Sequence, residues 1–447
     1  MMKPINILYS LLLLIIFTGT ACKKYLEKKS STSFVSPQTL EDLQGLLDDG
    51  AGVMNKRLTP SLGEASTDDQ FMLPSTFANL ITLDQHFYLW QKTPYYFEND
   101  WSKSYAAVYN ANFCLDGLTK IERRVANASA WDLVKGTALF YRAYCFLNLL
   151  WNYSKAYNNQ TSESDLGIVL RDGSDFNVPS VRSSVKECYQ QVIDDAKASI
   201  TLLPNLNTHV YRPSKCAAYG LLARIYLSMR EYDSAHRYAD LCLSIKRDLL
   251  DYNSISSSSN QPFPAFNNEI IFYTEMFPVV SVVGLGLMDT LLYKSYEAND
   301  LRKTAFFRAK SGYYAYKGSY ATSGFFTGIA TDELYLIRAE CNARMGNDQS
   351  AQNDLNELLK NRYLQPYIPS TVSKDSILPI ILQERRKELL RRGLRWMDIK
   401  RLNLEGADIN LERVLNGITY NLKANDNYFA LPLPTDIIEI SGIEQNP

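Results

Sequence analysis

The sequence predicts a mainly α protein built from tetratricopeptide-like helix-pair repeats, with an irregular, loop-rich face. Three observations carry that prediction. Apolar residues recur every three or four positions through most of the middle and C-terminal thirds. One helix pair carries a repeat signature: Tyr219, Leu222, Ala223, Tyr226, Ala235 and Ala239 stand at offsets 0, 3, 4, 7, 16 and 20, the pattern of two antiparallel helices in contact. Between the periodic segments lie long stretches rich in Gly, Ser, Asn and aromatics, with no period.

The elements follow in order. Thr39 to Leu47 is helical in pattern, and Gly50 to Asp100 reads as a loop-rich region of mixed turn residues and aromatics. Trp101, Tyr105, Val108, Asn112 and Leu115 form one helical stripe, and Val134, Ala138, Tyr141, Cys145 and Leu149 form the next. The polar stretch 152–182 follows. Val185, Cys188, Val192, Ala196 and Ile200 make a third stripe, opened by the capping-box pair Ser184 and Glu187 and stopped by Pro204. Leu221, Ile225 and Met229 define a helix whose partner runs from Tyr232 to Cys242. Ser254 to Phe266 is loop, Asn268 to Thr274 is β-prone, and Phe277 to Ala330 reads as loops with short strands. Helices return at Leu334 to Arg344, Ser350 to Arg362 and Ile377 to Arg392. The tail from Tyr428 onward is expected to be extended.

A second repeat copy begins at Tyr335, with Ala339, Asn342, Gly346 and Ala351 in register. A looser one surrounds Ala143 and Phe146, its second helix displaced by the 152–182 insertion. Such pairs cannot bury their apolar faces alone and must stack. A generic helical bundle is the other reading of the same stripes.

The N terminus has its own logic. Lys3 gives a positive start, Leu11 to Phe17 a short apolar core, and Gly19, Thr20 and Ala21 a small-residue site followed at once by Cys22. The apolar core is shorter than the roughly 20 residues a membrane span needs. The layout is that of a signal peptide, residues 1–21, of the bacterial lipoprotein type, with Cys22 as the acylated residue. An ordinary signal peptide with an incidental cysteine is the alternative. Residues 22–38 then form a polar tether. Residues 39–447 form a single globular domain, with an N-terminal part of about 39–250 and a C-terminal part of about 265–447.

Composition narrows the function. Lys plus Arg total 47 against 48 for Asp plus Glu, a balance that argues against a nucleic-acid binder. Three His among 447 residues weaken metal and general-base hypotheses, whereas 30 Tyr suit a surface that stacks on rings and bonds hydroxyls. The six cysteines beyond Cys22 lie in helical stretches without a CxxC, and most are expected to be small buried residues.

Taken together and in order, several segments resemble the SusD/RagB family of outer-membrane nutrient-binding lipoproteins. They include Tyr25-Leu26-Glu27, Gly63-Glu64 with Asp68, Trp101 through Asn112, and Arg142-Ala143-Tyr144. Ser214 to Leu227, Asn267 to Phe272, Asp300-Leu301-Arg302 and Ile337 to Glu340 continue the series. The most specific is Glu384 to Arg401, and Leu431 to Pro434 and Glu444 to Pro447 complete it. Arg392 departs from the pattern, standing where the family often has Glu. The resemblance implies non-catalytic capture of an oligo- or polysaccharide at the cell surface. It implies delivery to a SusC-like TonB-dependent β-barrel transporter and attachment to the outer membrane through lipid on Cys22. Peptide is the alternative ligand.

Glu384 to Arg401 holds eight basic residues and three acidic ones. It reads as structural helix whose arginines pair with Glu384, Glu388 and Asp398 rather than as a ligand site. No GxSxG, HExxH or P-loop is present, so no enzyme activity, metal or cofactor is expected. A scaffold that binds peptides in its repeat groove and a surface glycosidase are the readings from other classes.

For a sugar, the useful groups are flat aromatics that cover its C–H faces and polar side chains that take its hydroxyls. Aromatics in loops have no periodic reason to be buried, which selects two clusters. The first, Phe87 to Phe97, offers Trp90, Tyr95 and Tyr96. The second, Tyr313 to Phe326, offers Tyr313, Tyr314, Tyr316 and Tyr320. Asp68, Asp69, Asn99 and Arg302 are candidates for the polar rim. Loop packing or a transporter interface is the competing explanation for both clusters. The site reading expects Trp90→Ala or Tyr314→Ala to weaken binding and leave helical content intact.

Overall fold

The computed structural model describes residues 37–321, 323–369 and 374–447. The expected signal peptide and lipidated Cys22 lie outside the described residues. Ten longer helices form the body. They are α1 (Leu40–Leu47), α2 (Asp100–Leu118), α3 (Ala128–Tyr153), α4 (Val185–Leu202) and α5 (Lys215–Met229). After them come α6 (Tyr232–Ile245), α7 (Thr331–Arg344), α8 (Asp348–Leu359), α9 (Lys374–Glu388) and α10 (Arg395–Asn403). From α1 to α9 each helix packs on the next in sequence, so the helix pairs stack as the repeat signature requires.

Local chemistry explains the boundaries. Ser184 caps α4 through the Glu187 N–H at 3.2 Å, while the Glu187 carboxylate takes the Ser184 N–H at 2.8 Å. α3 is buried almost all round from Gly136 to Tyr153, and a helix with no polar face belongs at the centre of a fold. Gly220 lets α5 approach the strand Ile329–Ala330: a Cβ there would stand 2.7 Å from the Ile329 side chain.

The strands of the described residues form six two-stranded sheets. The longest hairpin pairs Leu411–Leu415 with Ile418–Leu422 across Asn416-Gly417, a sequence suited to the two left-handed positions of a tight turn. Another pairs Phe307–Lys310 with Tyr313–Tyr316. Two expectations need correction. The C-terminal tail is not wholly extended, because Thr435–Ser441 is helical. The helix expected over 377–392 stops at Glu388, since Arg391 and Gly393 turn left-handed, at φ 62° and 73°, before α10 begins.

The basic segment is structural, as its spacing suggested. Arg302 is fully buried and pairs with Asp300, Glu384 and Glu388 at 2.6 to 3.0 Å. Arg362 joins Glu388 to Glu269, both at 2.7 Å. Arg401 takes Glu340 and Asp398, and Arg385 takes Asp398. Arg392 meets Asp332 at 3.3 Å, its guanidinium 4.5 Å from the Phe326 ring centre. A Glu in its place would set like charges together.

A continuous core runs from Leu43 to Ile443. A second, smaller cluster lies under the loop face, formed by Tyr252, Phe263, Phe306, Tyr320, Phe326 and neighbours. All six described cysteines are buried free thiols. Among the described residues no helix is long and apolar enough to cross a membrane.

Candidate ligand-binding site

Six of the sequence-selected residues belong to the interior, four of them among the main candidates. Trp90 is 8% exposed. Its indole N–H donates to the Ser66 carbonyl at 2.9 Å, and the Arg413 guanidinium covers its ring at 4.8 Å. Tyr95 is buried, its hydroxyl donating to the Pro432 carbonyl at 2.7 Å. Tyr320 is buried, donating to Glu269 at 2.6 Å. Arg302 is consumed by its three carboxylates. Their expected role as ligand contacts is therefore corrected to a structural one: the loops fold back so that Trp90 and Tyr95 join the main core and Tyr320 the second apolar cluster, while Arg302 is held by ion pairs. Asp69 is likewise buried against Arg386 at 2.9 Å. Asn99 is spent as the N-cap of α2, accepting the Ser102 N–H at 2.9 Å.

The others remain at or near the surface in two places. Tyr313, at the start of a strand, meets Phe71 edge-on with ring centres 5.0 Å apart. Tyr314, the next residue and so on the opposite strand face, stacks on Tyr293 at 3.5 Å. Tyr316 is half-buried between Phe306 and Phe325. Phe71 lies in the two-residue strand Gln70–Phe71 that follows Asp68-Asp69 directly. The Asp68 carboxylate holds Arg395 through two 2.8 Å bonds and Arg386 at 3.1 Å. Burial works against its ionisation, but the two guanidinium groups hold its carboxyl well below the usual range.

Tyr96, 53% exposed, adjoins the second place. Here one buried carboxylate gathers three chain segments. Asp100 accepts the Ser61 and Leu62 N–H groups at 2.6 and 2.9 Å. The Ser61 hydroxyl donates to Asp100 at 3.1 Å and accepts the Val279 N–H at 3.0 Å. Burial raises the Asp100 pKa to about 6, against the opposing pull of the two backbone donors. Segments 57–62, 97–103 and 277–279 are thereby fixed side by side.

Over them opens a groove of about 210 Å³ whose walls include Val53, Arg57, Phe97, Glu98 and Lys103. Phe97 is 71% exposed, although its N–H is anchored to Asp436 at 3.1 Å. Arg57 is exposed, left-handed at φ 67°, and its guanidinium lies 5.1 Å from the centre of the Phe277 ring. Lys103 and Glu98 face each other at 3.7 Å. The groove thus combines an open ring, two cationic donors and a carboxylate acceptor. That set can cover the apolar face of a polyol and bond its hydroxyls.

Sequence reasoning reached the edge of this site through the cluster ending at Phe97. It missed Arg57, Lys103 and Phe277, which become neighbours only through Asp100 and Ser61. The Gly50 to Asp100 loop carries no periodic mark that singles out Arg57.

Two family models match the chain: one described as starch-binding, associating with the outer membrane, over residues 24–227, and one described as the SusD family over residues 301–439. A SusD-like protein P2 from Formosa agariphila is 22% identical over 418 residues, covering 77% of this chain and 79% of that protein. A SusD superfamily crystal structure from Bacteroides thetaiotaomicron superposes with a TM-score of 0.72 at 21% identity, covering 92% of this chain and all of the other. A protein from Bacteroides vulgatus described as sugar-binding superposes with a TM-score of 0.76 at 22% identity, covering 93% and 99% of the two chains.

Proposed function

The chain belongs to the SusD/RagB family, and from that premise we propose that it is a non-catalytic, outer-membrane binding protein for an oligo- or polysaccharide. The observation that carries this reading is the groove with the exposed Phe97 ring set among Arg57, Glu98 and Lys103. A sugar unit stacks on Phe97, Arg57 and Lys103 donate to its hydroxyl oxygens, and Glu98 accepts from its hydroxyl hydrogens. The Tyr313–Phe71 ledge, with Tyr314 and Tyr316 behind it and Asp68 beside it, offers a second contact for a longer chain. Captured ligand passes to a SusC-like TonB-dependent β-barrel transporter. Lipid on Cys22 holds the protein at the membrane, and residues 39–447 act as one globular unit.

The test is a glycan and peptide panel incubated with the purified protein, followed for both binding and product. Saturable glycan binding without product, weakened about tenfold in Phe97→Ala, the scale of one lost aromatic contact, supports the reading. Released sugars, or binding confined to peptides, refute it.

A further inference from the structure

At the C-terminal end of α3 lies a second cavity that shares no lining residue with the groove. It begins with Lys400, which is 5% exposed. Its ammonium donates to the Trp151 carbonyl at 2.7 Å and the Ser154 carbonyl at 2.5 Å, closing the end of α3 as a cation should. Among the described residues these are its two hydrogen-bond partners, and an ammonium has three N–H groups.

The cavity above Lys400 measures about 210 Å³. Leu404 and Phe429 give it an apolar wall, and Asn158, Asn425 and Asn427 supply amides around it. Charge on its walls balances. Lys155 and Lys400 are matched in number by Asp165 and Asp426; Lys155 is paired with Asp165 at 3.2 Å, and Asp426 accepts the Tyr428 N–H at 2.8 Å. An ionic ligand gains nothing from such a balance. Amides, by contrast, offer a donor and an acceptor in one group, which matches adjacent hydroxyls on a ring. The volume lies below the range of drug-sized pockets and suits a single ring.

We infer that this pocket is a second binding site, for one neutral sugar ring, seated between the end of α3, the end of α10 and the 425–429 turn. Its ligand class follows from its own walls, so it stands or falls separately from the Phe97 groove.

The experiment is saturation-transfer NMR on the purified protein with methyl α-glucoside, methyl α-mannoside and methyl β-galactoside at millimolar concentration. The variants are Asn427→Ala, Ala156→Trp (which fills the cavity) and Phe97→Ala. At least one glycoside should show transfer with the wild type and with Phe97→Ala. Asn427→Ala should weaken it about fivefold, the effect of one hydrogen bond, and Ala156→Trp should abolish it. Should Ala156→Trp fail to fold, the exposed Asn427 change decides alone. Three outcomes overturn the site: no glycoside binds, transfer persists in both pocket variants, or transfer disappears only in Phe97→Ala. The last would leave the groove standing and remove this pocket.

Discussion

Trp90 and Phe97 are seven residues apart in one aromatic-rich loop, yet they have opposite fates. Trp90 is held by Ser66 and Arg413, whereas Phe97 projects into the groove mouth. Trp90→Ala is therefore expected to cost about 3–5 kcal/mol of stability, as large aromatic truncations in cores do. Calorimetric melting of Trp90→Ala and Phe97→Ala checks this. A Trp90 variant that melts with the wild type and only loses ligand would restore the sequence-based expectation. Glu64 poses a titration question at the same scale. It is fully buried, with Arg391 at 3.9 Å, and burial raises its pKa from 4.5 to about 7 despite Arg391. The folded chain then binds that proton more tightly than the unfolded chain. Its contribution to stability falls as pH rises from about 4.5 to about 7 and is level above that. Glu64→Gln removes this slope, so its melting temperature relative to wild type should climb between about pH 5 and about pH 7. A constant difference across that window would show that Glu64 does not titrate there.

At the scale of elements, the buried ion network decides how the C-terminal helices meet the loop face. Arg302 ties the 300–302 segment to α9, and Arg362 ties the end of α8 to α9 and to Glu269. Removing one partner strands a charge in the interior. Glu388→Gln is expected to lose about 3–5 kcal/mol, read as a lowered denaturation midpoint, with ligand affinity of the folded fraction unchanged. A drop in affinity without loss of stability would return Arg302 and its partners to the ligand site. Helix periods, the Ser184–Glu187 cap and the paired arginines of 384–401 were legible because each depends on residues a few positions apart. The Asn416-Gly417 hairpin, by contrast, was not among the elements expected from the sequence and was found in the structure. The helix Thr435–Ser441 was hidden by flanking prolines, and its anchoring comes from distant segments, as in the bond from the Thr435 N–H to the Tyr95 carbonyl at 2.8 Å.

For the whole molecule, a stack of helix pairs carries a loop face stiffened by a second apolar cluster. The proposed function gives that face a ligand and the N terminus an anchor. Cys22→Ala is expected to move the protein from the membrane fraction to the soluble fraction, checked by fractionation and labelling with radioactive palmitate. Persistence in the membrane with no label incorporated by the wild type would remove the lipid from the account. Affinity purification of the native protein from detergent-solubilised membranes should also recover a β-barrel transporter. Repeated recovery of the chain alone would remove that partner.

The sequence by itself determined the mainly α class, the stacked pairs, the family and the structural nature of the basic segment. These rest on short-range periodicity and on the order of motifs along the chain, which one dimension records. Only the tertiary structure decided which loop aromatics face solvent. Burial of Trp90, Tyr95 and Tyr320, and the meeting of Arg57, Phe97 and Phe277, depend on contacts between segments tens to hundreds of residues apart. Asp100, Ser61 and Val279 make the joining bonds, and no spacing along the chain encodes such a join.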